Sequence, residues 1–428
     1  MKLSIFLGKI IQKIARLRGG GSALPGLFME RFNPKFLART LESLPYGVVV
    51  ISGTNGKTTT TKMVVELLES QNLRVFTNKT GSNFVRGVAA AALESVNLRG
   101  ILPADIAVLE LDEAHAVHFV EQIHPRYSLL LNVMRDQLDR FGEIDFTAGL
   151  LQKIGENTRN LVFLNGGDNL LSRKDFSKGF VKVVKFGASE KLAEFFPNDE
   201  EIHGDNSSDL RSKHPQDIDY LLEDFSKTSA QIIHQETRKN FNLQISGIHN
   251  ILNLTAAYGL VREILKSEKI KILEEDLEET ISEIKPAFGR GEIIKIGEKE
   301  VEIMLVKNPA GFRSNLKSAD LTNAQIMIAI NDNYADGRDM SWLWDVEFSK
   351  MLDGSVAKIS GIRAYDMALR LFHDEIPFEN TDINTDIRSA VEEFLSQDGD
   401  KKKIFATYTA MLEIRKEISK LTEVEKIL

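Results

Sequence analysis

A mostly parallel α/β sheet with covering helices is the fold class this sequence predicts, and three observations predict it. Apolar runs of strand length recur at 48–51, 106–111, 128–133, 161–164 and 181–184, separated by helical or loop-like stretches. The first run leads straight into a glycine-bounded loop and a helix start. Later runs end in charged or Asn-Gly-rich turns, beyond the strand C-termini, where the functional loops of such a sheet lie.

Residues 1–45 read as a lead-in to that sheet. Leu3, Leu7, Ile10, Ile14 and Leu17 recur at helical spacing beside Lys2, Lys9, Lys13, Arg16 and Arg18, so an amphipathic helix with a basic face is expected. Lys9 and Lys13 interrupt the apolar stretch and no cleavage-type end follows, which speaks against a signal peptide. Such a helix can rest on an anionic membrane surface or pack on its own domain; packing is the favoured expectation. The run Gly19-Gly20-Gly21 ends it.

The segment 48–61, VVVISGTNGKTTTT, is a phosphate cradle in its residue types. Gly53 and Gly56 let the backbone turn tightly enough for several N–H groups to converge on an anion. The helix starting near Lys57 adds the positive end of its dipole. Lys57 would reach the β- and γ-phosphates, and the Thr58 hydroxyl would serve a magnesium ion. The spacing G-x-x-G-K-T is tighter than the common G-x-x-x-x-G-K-[ST] loop.

Three further clusters follow predicted strands. The stretch 106–113 ends in Glu110, Asp112 and Glu113, which suits a hard cation that keeps several waters and bridges phosphate oxygens. The stretch 131–140 ends in mixed charge, and 165–169, NGGDN, in turn residues able to meet a ribose. Carboxylates after strands also cap helices, and Asp-rich turns occur in many places. Their convergence on one sheet edge is what makes them candidates.

In this order the G-T-N-G-K-T loop, Glu110 at a strand end, the N-V-x-x-D-x-x-D-R segment at 132–140, the L-N-x-x-D turn and the helix start GIHNILNLTAA at 247–257 resemble the central ATPase domain of the Mur ligase family. The resemblance implies ATP and Mg2+ as cofactors, and a carboxylate phosphorylated by ATP before an amine displaces the phosphate. It implies that Gly53, Thr54, Asn55, Gly56, Lys57, Thr58 and Thr59 hold phosphates. Thr58 and Glu110 would serve the magnesium ion, with Glu113 a further candidate. His249, Asn250 and Asn253 would line the adenine side, and Arg290 would lie near the nucleotide phosphates. Many Mur ligases have a histidine metal ligand where this chain has Gln137, which leaves the second metal position open.

The segments 305–312, LVKNPAGF, 330–345, INDNYADGRDMSWLWD, and 360–366, SGIRAYD, resemble the C-terminal domain of the MurT group of that family. A central ATP-binding domain at 46–295 and a smaller C-terminal α/β domain at 296–428 are therefore expected. In that group the ligase subunit works with a GatD-type glutaminase and converts the D-glutamate α-carboxyl of the lipid II stem peptide to D-isoglutamine. The implied partners are thus a GatD-type glutaminase and lipid II or a related peptidoglycan precursor. The implied location is the cytoplasm, with the inner face of the membrane within reach.

An aspartate can orient a histidine and stabilise its protonated form in a nucleophile–His–Asp triad. With no cysteine in the chain, the MurT resemblance implies a triad completed in the partner. Asp339, matching the second Asp of the group's D-G-R-D, is the expected residue; Asp336 and Asp345 stay open as alternatives. All three also fit as caps of turns and helix starts.

Composition bounds the rest. The chain has 428 residues, 43% of them hydrophobic, enough for about two or three domains. Its formal net charge of −8 speaks against a nucleic-acid partner. No apolar run is long enough to span a bilayer. Without cysteine there is no disulfide, thiol nucleophile or thiolate metal site. A polar, acidic stretch at 187–240 reads as an excursion from the central domain. Its His203, His214 and His234 are spaced too irregularly for zinc. MurT-group proteins often carry a four-cysteine zinc ribbon, so here no zinc is expected and the excursion takes that place. Two rival readings are a stand-alone amino-acid-adding ligase, opposed by the 330–345 segment, and a non-catalytic scaffold subunit, opposed by intact Lys57, Thr58 and Glu110.

Overall fold

The computed structural model describes residues 2–17, 23–78, 84–134, 144–196, 218–226, 228–245, 247–285 and 290–422. Three helices, α1 (Lys2–Leu17), α2 (Ala23–Phe32) and α3 (Phe36–Glu42), lead into strand β1 (Val48–Ser52). Then come α4 (Lys57–Ser70), β2 (Val75–Thr77), α5 (Val85–Ser95), β3 (Ile106–Glu110), α6 (Glu113–Gln122), β4 (Tyr127–Leu130), α7 (Ile144–Glu156), β5 (Leu161–Asn165) and β6 (Val183–Ala188). Strands β7 (Tyr220–Phe225), β8 (Ser229–His234) and β9 (Thr237–Asn242) precede helices α8 (Ile248–Ser267) and α9 (Glu274–Glu283).

Among the described residues these strands form one nine-stranded sheet in the order β2-β3-β1-β4-β5-β6-β7-β8-β9. Pairing is parallel from β2 through β7 and antiparallel from β7 to β9. Every residue of β1, β3, β4 and β5 is buried, because helices cover both faces of a parallel sheet. Side chains alternate between two cores. Val49 and Ile51 pack with residues of α4, α8 and α9, while Val48 and Val50 pack with residues of α3, α5, α6 and α7.

The structure departs from expectation from β6 onward. Val181 is exposed and β6 begins at Val183. The stretch read as an excursion includes β7, β8 and the start of β9, which extend the sheet; one face of this hairpin pair buries Tyr220, Leu222, Ala230, Ile232 and Phe241. His203 and His214 lie outside the described residues. His234 stacks on Tyr220 at 3.9 Å and hydrogen-bonds the Asp219 carbonyl at 2.8 Å. The N-terminal helix does pack on its own domain, but through Ile5, Gly8 and Ala15 rather than through the predicted apolar stripe.

The second sheet uses β10 (Arg290–Ile296), β11 (Lys299–Leu305), α10 (Pro309–Ser318), β12 (Gln325–Ala329), β13 (Ser355–Ser360), α11 (Ala364–His373), β14 (Ile383–Asn384), α12 (Ile387–Ser396), β15 (Lys401–Ala406) and α13 (Tyr408–Ile418). Its order is β10-β11-β15-β12-β13-β14, and only β10–β11 is antiparallel. Since β10 pairs with β11 across a turn at Gly297, whose φ is 61°, we place the domain boundary between α9 and β10. One face of this sheet packs on α10 and α11, the other on α12 and α13.

Candidate active site

Beyond Ser52 the chain turns sharply over Gly53, Thr54, Asn55 and Gly56 into the first turn of α4. Gly53 has φ +134°, and a Cβ there would lie 2.9 Å from the Asn132 amide nitrogen. Gly56 has φ +88°, and its Cβ would lie 2.7 Å from Asn253 Oδ1. Both positions therefore require glycine, for conformation and for space. Asn132, just past β4, clamps the loop from the side. Its Oδ1 accepts from Asn55 N at 2.8 Å and its Nδ2 donates to the Asn55 carbonyl at 3.0 Å. The Thr54 hydroxyl accepts from Met134 N at 3.0 Å.

Lys57 and Thr58 open α4, and Thr59 is buried beneath them. Lys57 Nζ donates to the Gly53 carbonyl at 2.5 Å and lies 3.3 Å from Glu113 Oε1, on the first turn of α6. Thr58 Oγ1 donates to Glu110 Oε1, at the end of β3, at 2.9 Å. Asn78 fixes that strand end by bonding both the amide and the carbonyl of Glu110, at 3.0 and 2.9 Å. The result is a compact cluster of one ammonium, one hydroxyl and two carboxylates at the N-terminus of α4, the end of a helix whose dipole favours anions.

A magnesium ion fits this donor set. The oxygens of Thr58 and Glu110 meet, Glu113 stands close by, and all are hard ligands. Among the described residues no group of three or more His, Cys, Asp or Glu side chains could hold a metal. Thr58, Glu110 and Glu113 are the side chains that would hold a magnesium ion here, supplying oxygen donors to it.

The N-terminal turns of α8 close another side. Asn253 sits against Gly56 of the loop, and Asn250 lies near Gly247, the N-cap, whose φ is +86°. His249 meets the ring of Phe196 edge-on at 5.0 Å. Burial, assisted by the nearby Lys317 charge, lowers its imidazole to about 4. It is therefore a neutral ring near pH 7. The turn at 165–169 is used internally: Asp168 accepts the amides of Val133, Leu170 and Leu171.

In the second sheet, the chain leaving β12 turns over 330–341. Asp336 is buried, and its carboxylate accepts the Thr409 amide and hydroxyl at 2.7 and 2.5 Å and the Asn333 amide at 3.2 Å. Burial pushes this carboxyl up against the pull of those hydrogen bonds. Asp339 is half-buried, and its Oδ1 accepts the Ser341 amide at 2.8 Å. Tyr334, Arg338 and Trp344 are exposed. Asp345 is half-buried, and its carbonyl accepts from Arg313 at 3.0 Å. Trp342 is a core residue beside Phe312.

Comparison with known proteins matches residues 51–261 to the Mur ligase middle domain and residues 305–411 to the MurT ligase C-terminal domain. The chain belongs to the Mur ligase family, in its MurT branch. It is 29% identical, over 96% of its own length and 96% of the relative's, to the lipid II isoglutaminyl synthase (glutamine-hydrolyzing) subunit MurT of Streptococcus pneumoniae (strain ATCC BAA-255 / R6). The subunit of the same description from Staphylococcus aureus (strain COL) is 29% identical over 86% of each chain. In fold it is similar to the MurF ligase of Thermotoga maritima solved in complex with ADP, with a TM-score of 0.65 and 14% identity over 90% of this chain and 83% of that one.

This Mur ligase-family chain is an ATP-dependent ligase. Its loop, Glu110, Glu113 and the start of α8 converge at one end of the central sheet. Gln137 and the side chain of Arg290 lie outside the described residues. Sequence reasoning missed Asn78, and it read Asn132, Lys307 and Asn308 only within longer segments, without a role at the site. Lys307 Nζ donates to the Thr54 carbonyl and Asn308 Nδ2 to Asn55 Oδ1, each at 3.2 Å, so the second sheet touches the phosphate loop itself. The LVKNPAGF segment carried the signal, but only its family likeness was legible.

Proposed function

We propose that this ligase converts the D-glutamate α-carboxyl of the lipid II stem peptide to D-isoglutamine on the cytoplasmic side, using ammonia from a GatD-type glutaminase bound to its C-terminal domain. The observation that carries the reading is Asp339, half-buried where Asp336 is enclosed, on a MurT-type domain in a chain that has no cysteine. A glutaminase nucleophile–His pair then has to come from a second protein, with Asp339 orienting its imidazole. Asp336, with both oxygens engaged by Thr409, suits an internal brace instead.

The γ-phosphoryl group passes to a carboxylate oxygen of the acceptor, giving an acyl-phosphate and ADP. Ammonia attacks the acyl carbon, the bond to the phosphate oxygen breaks, and the nitrogen gives up a proton. Gly53 to Thr59 cradle the phosphates, and Lys57 neutralises charge on the group in transfer. Magnesium, held by Thr58 and Glu110 with Glu113 as a further ligand, would neutralise phosphate oxygens. His249, Asn250 and Asn253 form the nucleoside side, and the family resemblance assigns Arg290 to the phosphates.

The test runs the chain with ATP, magnesium and lipid II, first with ammonium salt and then with glutamine plus a GatD-type partner. Asp339→Asn should lose glutamine-dependent amidation by leaving the partner's imidazole mis-tautomerised, and keep ammonium-dependent amidation. Equal loss with both nitrogen sources would remove the trans-triad role. Absence of amide with wild type and ammonium would remove the reaction.

A further inference from the structure

Among the described residues the apolar stripe of α1 does not close on protein. Leu3, Phe6, Leu7, Ile10 and Ile14 are each 40% to 70% exposed. The opposite side anchors the helix. Ile5 and Ala15 are buried, Gly8 lies against Leu93 and Met29, and Lys9 Nζ and Gln12 Nε2 donate to the carbonyls of Glu94 and Ala90 at 3.0 and 3.2 Å. The helix is thus held on the domain with its stripe facing outward. Helix α2, packed beside it, adds exposed Leu24, Leu27 and Phe32.

Charge says what covers this face. The chain carries −8 overall, yet Lys2, Lys9, Lys13, Arg16 and Arg18 all precede its first acidic residue, Glu30. On a helical wheel Lys13 flanks one edge of the stripe, and it is exposed there. An outward apolar stripe with a basic border, on a chain that is otherwise acidic, matches the interface between acyl chains and anionic headgroups. A second copy of the chain would set two basic borders against each other.

We propose that α1 docks this chain on an anionic phospholipid bilayer, with Leu3, Phe6, Leu7, Ile10 and Ile14 in the acyl boundary and Lys13 at the headgroup phosphates. This goes beyond the amidation reading and does not depend on it.

The full chain is sedimented with vesicles of phosphatidylglycerol and phosphatidylcholine, and with vesicles of phosphatidylcholine alone, at low and high salt. Binding is expected on the anionic vesicles and should weaken with salt. Lys13→Gln should weaken it roughly fivefold, and Ile10→Glu should abolish it. Both positions are exposed, so the unfolding temperature should stay unchanged in each variant. No binding by the wild type, equal binding by Ile10→Glu, or self-association that Ile10→Glu removes in place of vesicle binding would each overturn the proposal. Because the vesicles contain no peptidoglycan precursor, the result is independent of what the active site amidates.

Discussion

Lys57 rests on the Gly53 carbonyl and beside Glu113, so its ammonium already stands at the mouth of the phosphate loop. On the proposed mechanism Lys57→Ala removes the charge that would meet the transferring phosphoryl group, and should lower amidation by roughly 10²- to 10³-fold with the melting temperature kept. Single-turnover kinetics with ammonium as nitrogen source would check this; wild-type turnover would sink it. Asp336 gives the opposite signature from Asp339. Asp336→Ala strands the Thr409 amide and hydroxyl in a buried site, at a cost of about 1–3 kcal/mol. Denaturant unfolding should register that loss, and amidation should fall alike with glutamine and ammonium. Sequence alone left these two aspartates open, because the D-G-R-D spacing does not say which carboxylate turns inward.

At the scale of elements, β1, the loop and α4 were legible because an apolar run, two glycines and a lysine at a helix start are all local signals. Strand β2 was not, being Val75–Thr77 only and partly exposed. The β7–β9 hairpins were hidden by average polarity, although alternate residues such as Leu222 and Ile232 are buried. The stripe of α1 was visible in its period, but period does not tell which face a helix turns to its neighbours. Helix α8 supports a pH prediction. His249 is lowered from 6.5 to about 4 in the folded chain. Above about pH 6.5 both folded and unfolded imidazoles are neutral. As pH falls from there toward about 4, the unfolded chain takes up a proton that the folded chain resists, so stability is lost across that window. Melting temperatures from about pH 7 down to about pH 5 should fall less in His249→Gln than in the wild type. Parallel curves would show that His249 is not the group responsible.

For the whole molecule, the decisive feature is that two sheets with separate cores meet at one phosphate loop. No local pattern announces this, since Lys307 and Asn308 lie more than two hundred residues beyond Thr54 and Asn55. Asn308 does two jobs: its Oδ1 accepts the Gly311 amide at 2.7 Å, capping α10, while its Nδ2 reaches Asn55. Asn308→Ser separates them, because serine also caps helices well but is too short to reach the loop. The C-terminal domain should keep its stability to within a few tenths of a kcal/mol. Losing one hydrogen bond of about 1 kcal/mol between Asn308 and the loop should lower the equilibrium constant for that contact roughly fivefold. Turnover should fall by that factor when closure precedes phosphoryl transfer. Lys307→Met should cost more, since it also removes a positive charge from the Gly53–Gly56 loop, where the proposed nucleotide phosphates would sit. Turnover of both variants, measured beside their unfolding curves, checks the assignment. Wild-type turnover in Lys307→Met would mean that the contact between the sheets is idle in the reaction.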